Sequence, residues 1–410
     1  MAASRRALII GGSLGGLMSA CLLRRDGWQV DVCERVEDPL SGRGAGIVTH
    51  PQLLAALAQC GAKIDDSIGV AVSTRLTLDA SGREIGRLTM PQIMTSWGRL
   101  FAMLRAEFPD DRYHRGLGLT QVENFADRVR AHFDNGAQMQ AELLVAADGI
   151  RSTVRAQLMP SVAPQYAGYV AWRGLIEESA LSAATHAQLF DKFAFCLPPG
   201  EQMLGYPVAG AANSTQRDHR RYNLVWYRPA AEESDLEDLL TDANGQRHEI
   251  AIPPPLIRPD VVARMRADAD ALLAPQFAEI VHLIPQPFFQ PIYDVESPQL
   301  AFGRVALVGD AAFVARPHVG MGVTKAGDDA LALVDALRNT DDVSQALRRY
   351  ESERLRVGAA VVARARHLGA YMQAQIKTAD ERAMAERYRT PEAVMRETAT
   401  PANMWNAIPA

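Results

Sequence analysis

The pattern of apolar and polar positions opens with a four-residue apolar run, Ala7 to Ile10, which stops at a glycine cluster, Gly11 to Gly16. Leu17, Ala20, Cys21 and Arg24 then fall at helical spacing, Gly27 suits a helix stop, and Val30 and Val32 alternate as a strand does. The stretch reads as strand, tight turn, helix, strand: one βαβ unit. A second strand runs through apolar residues 143–147 into Asp148-Gly149 and a helical pattern. In a third unit, Val305 to Val308 ends at Gly309-Asp310, followed by a proline- and glycine-bearing loop and a helix over about 322–337.

Residues 165–286 have another texture, with aromatic-rich strand candidates such as YAGYVAWRGLI and RRYNLVWYR and only short helical patterns. The segment AIPPPLIRP, residues 251–259, reads as a loop. From residue 341 onward the chain is charged and helical, and VSQALRRYESERLRVGAAVVARARHL is the clearest amphipathic stretch. No repeat or low-complexity tract interrupts it.

Composition narrows the function classes. At 410 residues, 48% hydrophobic and 22% charged, the chain is long enough for two or three domains and is neither disordered nor fibrous in character. A net charge of -5 gives no electrostatic reason to expect nucleic acid or an anionic membrane as partner, which favours a small molecule. No apolar run approaches the roughly 18 residues that span a bilayer, and MAASRR lacks an apolar signal core, so a cytoplasmic location is the expectation. Cys21, Cys33, Cys60 and Cys196 form no CxxC pair and read as packing residues, with no metal site expected.

The first unit carries the chemistry. Gly11, Ser13 and Gly16 occupy the three positions of GxGxxG: the first permits the tight turn, the second lets a phosphate approach the backbone, and the third lets helix and strand pack closely. Serine in the middle fits if its hydroxyl turns toward the phosphate. Glu34 ends the second strand, 23 positions after Gly11, where an acidic side chain accepts from a ribose diol. A surface glutamate after a strand is the bland reading of the same residue.

The ordered set of glycine-rich βαβ unit with terminal Glu, strand-DG-RSTVR, and strand-GDAA with a DDA helix resembles the single-component flavin-dependent aromatic monooxygenases, the group of para-hydroxybenzoate and salicylate hydroxylases. The stretches GGSLGGL, ERVEDPLSGRGAGIV, YAGYVAWRG and GDAAFVARPHVGMGVTKAGDDA are similar to its dihydroxypyridine branch, and the likeness runs from about residue 5 to 365. It implies an α/β fold: a Rossmann-like FAD domain with a parallel sheet (1–70, 98–164 and 287–340), a mostly antiparallel sheet substrate domain (71–97 and 165–286), and a C-terminal helical segment (341–410). Bound FAD would lie on Gly11, Ser13, Leu14 and Gly16, with Glu34 and Arg35 at the adenosine end. Arg43, Val122, Asp148, Asp310, Gly320 and Gly322 complete the implied cofactor contacts. Two positions depart from the family pattern. Trp97 stands where many members carry an arginine that reaches the flavin phosphates, leaving Arg99 or Arg43 to compensate, and Phe313 stands where a histidine often follows GDAA.

The implied reaction uses NADH or NADPH as reductant and O2 as co-substrate, and hydroxylates a hydroxylated aromatic ring, a hydroxypyridine-like heteroaromatic above all, through a C4a-hydroperoxyflavin. Oxidative decarboxylation of an aromatic acid on the same scaffold, and a non-oxygenating flavin oxidoreductase, stand as alternatives. Neither a second glycine-rich unit nor a redox CxxxxC is present, and no WxWxIP halogenase signature is found. A non-catalytic dinucleotide-binding module is the remaining class. Candidates for proton transfer or substrate orientation are His50, Tyr206 and His318, with Pro317 in the flavin-facing turn, and each is equally readable as a packing residue. Arg316 suits an anionic substrate, a nicotinamide dinucleotide or the surface. A homodimer is expected from the family's habit.

Overall fold

The computed structural model describes residues 5–38, 40 and 46–400. Its first layer is a sheet whose strands run in the order Ala301–Phe302, Val305–Leu307, Leu143–Ala146, Arg6–Ile10, Gln29–Glu34 and Tyr113–Arg115. All neighbours pair in parallel except the hairpin formed by the first two. The continuous apolar runs Ala7–Ile10 and Leu143–Ala146 sit side by side at its centre and are fully buried, as expected of parallel strands covered on both faces. The helices Leu14–Arg25 and Gly322–Arg338 pack together against it.

The second layer runs in the order Phe313–Val314, Phe288–Glu296, Gln165–Glu177, Arg221–Pro229, Gln202–Val208, Lys192–Cys196, Val70–Leu78, Glu84–Ser96 and Gly46–Val48. It is antiparallel except where Lys192–Cys196 lies parallel to Val70–Leu78. Side chains along a strand alternate between faces, and here both faces are used. Val170 and Trp172 join a core with Val261, Met265, Phe277 and Ile280 from the helices Pro259–Leu272 and Pro275–Leu283. Tyr169 and Ala171, one residue out of step, join the opposite core with Tyr206, Tyr227 and Phe193, which the C-terminal residues Tyr371, Met395 and Ala399 close.

The helix Pro259–Leu272 is longer than any anticipated for the 165–286 region. Its buried positions, Val261, Met265 and Ala269, form a single row separated by charged residues, too narrow a stripe to stand out in the sequence, and Pro259 at its first turn is favourable because proline supplies a helical φ where no N–H is needed. AIPPPLIRP is a loop with one short 3₁₀ turn, Pro254–Leu256, up to Pro259, where the helix begins. The long helix Val343–Gly369 is capped by Asp342, whose carboxylate accepts from the Ser344 and Gln345 N–H groups. Among the described residues no helix is long and apolar enough to cross a membrane.

Candidate functional site

The turn after Arg6–Ile10 is shaped by contacts that only glycine permits. Gly11 has φ +102°, and a Cβ there would lie 2.3 Å from the Ala147 carbonyl oxygen. A Cβ on Gly16 would lie 1.9 Å from the Gly11 carbonyl, so helix and strand touch through that glycine. Ser13 is the N-cap of Leu14–Arg25, yet its hydroxyl makes no cap bond. The first-turn N–H groups are thereby left for an anion, the arrangement a pyrophosphate requires.

These residues border a cavity of about 450 Å³ that also reaches Glu34, Arg35, Trp97, Asp148 and Arg151. Glu34 is buried, and its two carboxylate oxygens accept from the Gly12 and Val36 N–H groups, each at 2.9 Å, which fixes it at the cavity wall. Asp148 accepts from the Val154 N–H at 3.3 Å through one oxygen, while its other oxygen is buried without a partner. Burial raises its carboxyl above the usual range. Arg155 donates to the carbonyls of Asp310 and Ala311 at 3.4 and 3.0 Å, tying the DG turn to the GDAA turn. Gly309 is held from behind: its N–H donates to Asp329 at 2.9 Å, its carbonyl accepts from Lys325 at 2.8 Å, and Arg354 pairs with Asp329 at 2.8 Å. Asp310 is exposed at the mouth of that turn.

Trp97 lines the cavity and stacks on Phe101 with ring centroids 4.8 Å apart. Arg99 donates to Ser67 at 2.5 Å, and Arg43 lies outside the described residues. The cations on the cavity are Arg35 and Arg151; the signal for Arg151, missed in the sequence, is its place two residues beyond Gly149. Val122 belongs to the small sheet of Leu119–Asn124, Val129–Phe133 and Gln138–Ala141, and both its N–H and carbonyl are bonded to Gln157, whereas the cavity is reached by Leu117, Gly118 and Leu119.

The second part of the site forms where the Pro317–Val319 turn meets the aromatic face of the large sheet. Gly320 ends the turn at φ +68° and Gly322 opens the next helix. His318 is buried; its Nε2 lies 2.8 Å from the Tyr169 hydroxyl, its ring meets Tyr227 edge-on at 4.3 Å, and its Nδ1 is without a partner. His50 caps the helix Pro51–Gln59, with Nδ1 3.0 Å from the Thr324 hydroxyl and Nε2 3.4 Å from the Ala399 carbonyl. Because a carbonyl only accepts, Nε2 carries the proton and Nδ1 accepts from Thr324. Tyr206 packs edge-on to Phe193 at 5.0 Å and so tightly on Gly46 that a Cβ there would come 2.4 Å from its ring. Burial raises the Tyr206 phenol above its ordinary range. Arg173, half-buried, exerts its charge on His318, Tyr206 and Tyr227 together. Tyr169, Arg173 and Tyr227 were legible only as strand residues. Arg316 is neither exposed nor free: it is buried and pairs with Asp294 at 3.0 Å.

Burial, with Arg316 and Arg173 adding to it, pushes the His318 imidazole down to about 3, and burial pushes His50 down to about 4. Both are neutral in the folded chain, whereas an unfolded histidine titrates near 6.5. The unfolded state therefore binds more protons between those values, and stability is lost as pH falls below about 6.5. At pH 5 the two residues together cost on the order of 4 kcal/mol. The melting temperature is expected to fall from pH 7.5 to pH 5, and His50→Gln is expected to flatten that fall; a thermal-shift series at both pH values checks it.

Two family models match the chain: an FAD binding domain-like model over residues 166–294 and an FAD binding domain model over residues 295–365. The 2,6-dihydroxypyridine 3-monooxygenase of Paenarthrobacter nicotinovorans is 32% identical over 369 residues, which is 90% of this chain and 91% of that protein. The chain belongs to the single-component FAD-dependent aromatic hydroxylases. The solved structure of 2,6-dihydroxypyridine-3-hydroxylase from Arthrobacter nicotinovorans superposes on this hydroxylase with a TM-score of 0.85 at 31% identity, covering 90% of this chain and 93% of the other. The 6-hydroxynicotinate 3-monooxygenase of Bordetella bronchiseptica is 27% identical over 85% of this chain and 87% of its own. This hydroxylase is an FAD-dependent monooxygenase of hydroxylated aromatic or heteroaromatic rings. The orphaned Asp148 oxygen, the unused Ser13 hydroxyl and the glycine-only cradle suit the polar groups of FAD. Among the described residues no group of three His, Cys, Asp or Glu stands together to hold a metal.

Proposed function

We propose that this hydroxylase uses NADH or NADPH and O2 to add one hydroxyl group to an N-heteroaromatic ring of the hydroxypyridine kind, and that His318 and Tyr169 move the proton of the ring hydroxyl. When bound, FAD supplies the reducing equivalents and the activation of oxygen. Gly11, Ser13, Leu14 and Gly16 take its pyrophosphate, Glu34 and Arg35 its adenosine, and Asp148, Asp310, Gly320 and Gly322 the remainder.

The observation that carries the reading is the 2.8 Å contact between His318 Nε2 and the Tyr169 hydroxyl, with Nδ1 left unpartnered. Ionising a ring hydroxyl makes its ortho and para carbons electron-rich, and a neutral imidazole does this without gaining charge. Nδ1 accepts the proton while Nε2 releases its own to Tyr169, so the depressed basicity of His318 is no obstacle. Burial raises the Tyr169 phenol, so the hydroxyl passes a proton on rather than holding a negative charge. Beyond it, Arg316 keeps its own protons and only orients the hydroxyl, and water in the cavity of about 890 Å³ bordered by Arg316, Tyr166, Asp294, Arg366 and Gln373 takes the proton. Tyr206, Arg173 and His50 shape the ring's place, and Pro317 fixes the turn.

The support for a heteroaromatic ring is the 32% identity to a dihydroxypyridine hydroxylase across nine-tenths of the chain. The test is the rate of anaerobic flavin reduction by NADH and by NADPH, with hydroxypyridines, hydroxynicotinates and hydroxybenzoates in turn. A hydroxypyridine is expected to accelerate reduction about tenfold or more, since ring binding organises the site. Indifference to every N-heteroaromatic, with acceleration by a benzoate, would overturn the substrate class.

A further inference from the structure

Beyond residue 365, where the match to the FAD binding domain model ends, the chain returns to the site. Val394 and Met395 of the helix Pro391–Glu397, and Thr398 and Ala399 after it, are buried against the large sheet. Three contacts place this segment on the candidate catalytic residues. The Ala399 N–H donates to the His318 carbonyl at 2.7 Å, the Ala399 carbonyl lies 3.4 Å from His50 Nε2, and a Cβ on Gly320 would sit 2.7 Å from Ala399 Cβ. Gln92 also donates to the Ala399 carbonyl, at 3.3 Å.

A buried cation holds the segment down. Arg75, on the strand Val70–Leu78, is fully buried with no carboxylate partner among the described residues. Its Nη1 donates to the carbonyls of Met395 and Thr398 at 2.6 and 2.7 Å, while Nε and Nη2 donate to Gln92 at 3.1 and 2.6 Å. Carbonyls at a helix C-terminus carry partial negative charge, so the guanidinium is matched to the end of Pro391–Glu397, with Gln92 and the Phe193 ring, 4.8 Å from its centre, as its other neighbours. Ala399 itself has φ +51°, a left-handed conformation unfavourable for a residue with a Cβ. It persists because the contacts on either side dictate it.

We propose that Thr398 and Ala399 form a wall of the substrate site, clamped by Arg75, and that they set ring specificity and the coupling of reductant use to hydroxylation. The inference rests on the placement of the ring beside His50 and His318. A displaced wall lets water reach the reacting centre and lets the ring shift, so reductant is spent on hydrogen peroxide.

Two variants test it in FAD-loaded protein: a chain ending at Arg389, and full-length Ala399→Val, whose β-branched side chain opposes the left-handed backbone and displaces the wall without removing any group that Arg75 bonds. In Ala399→Val the ring KM is expected to rise about fivefold or more and product formed per reductant to fall at least about twofold in protein that retains its FAD. The truncated chain is expected to move the same way and further. Iodide quenching of the flavin fluorescence, which needs no ring turnover, is expected to strengthen about twofold or more in both as the wall is lost. Unchanged KM, coupling and quenching would overturn the inference, as would loss of FAD in proportion to activity. If the unaltered chain hydroxylates no ring, the functional reading fails, while the quenching result still decides whether the segment walls the site.

Discussion

Gly16→Ala is expected to yield a protein that purifies without bound flavin. The added methyl would lie 1.9 Å from the Gly11 carbonyl oxygen, far inside contact distance, and that oxygen belongs to backbone which cannot swing away. The helix Leu14–Arg25 must lift from the strand Arg6–Ile10, and its first-turn N–H groups move off the pyrophosphate. Losing two hydrogen bonds to a charged group costs about 3–6 kcal/mol, a drop in FAD affinity of about 100-fold or more. Overpacking removes a further 1–3 kcal/mol or so of stability. Gly15→Ala is the internal comparison: its Cβ would lie 3.3 Å from Ala326 Cβ, a contact that small adjustments absorb, so FAD binding should survive. FAD titration by fluorescence on the two refolded variants measures the difference.

His318→Asn and Tyr169→Phe are expected to separate flavin reduction from hydroxylation. Each removes one half of the 2.8 Å pair while keeping the side chain's approximate size. A positioned proton acceptor contributes about 10²–10⁴-fold, and hydroxylation should fall within that range. Ring-free oxidation of NADH or NADPH should change little, because the pair does not touch the nucleotide cavity. Raising the pH ionises the ring hydroxyl in solution and should restore part of the lost rate in Tyr169→Phe. Product analysis against reductant consumed, from pH 6 to 9 or so, checks both effects. Equal losses in both half-reactions would instead place the pair in the packing of the turn.

The cofactor half of this site was readable from residue types because its constraints are local. A glycine at each of two positions and an acid at the strand end are dictated by backbone approach to phosphate and ribose, and Gly11, Gly16 and Glu34 stand where that geometry needs them. The parallel sheet followed from uninterrupted apolar runs such as Leu143–Ala146. The substrate half was less legible. Tyr169 and Tyr227 alternate with Val170 and Trp226 along strands buried on both faces, so nothing in the order of residues marks which face carries chemistry. Arg75 and Ala399 were invisible for a related reason: a lone arginine in a strand reads as an edge charge, and an alanine near the end of the chain announces nothing. Their roles arise from contacts spanning more than 300 positions.

The most direct test of the account is a single turnover of the reduced, FAD-loaded protein with a hydroxypyridine under ¹⁸O-labelled O2, followed by mass spectrometry of the ring. The expected product bears one added, labelled hydroxyl oxygen. A ring recovered unchanged beside hydrogen peroxide, or a new hydroxyl whose oxygen comes from water, would contradict it.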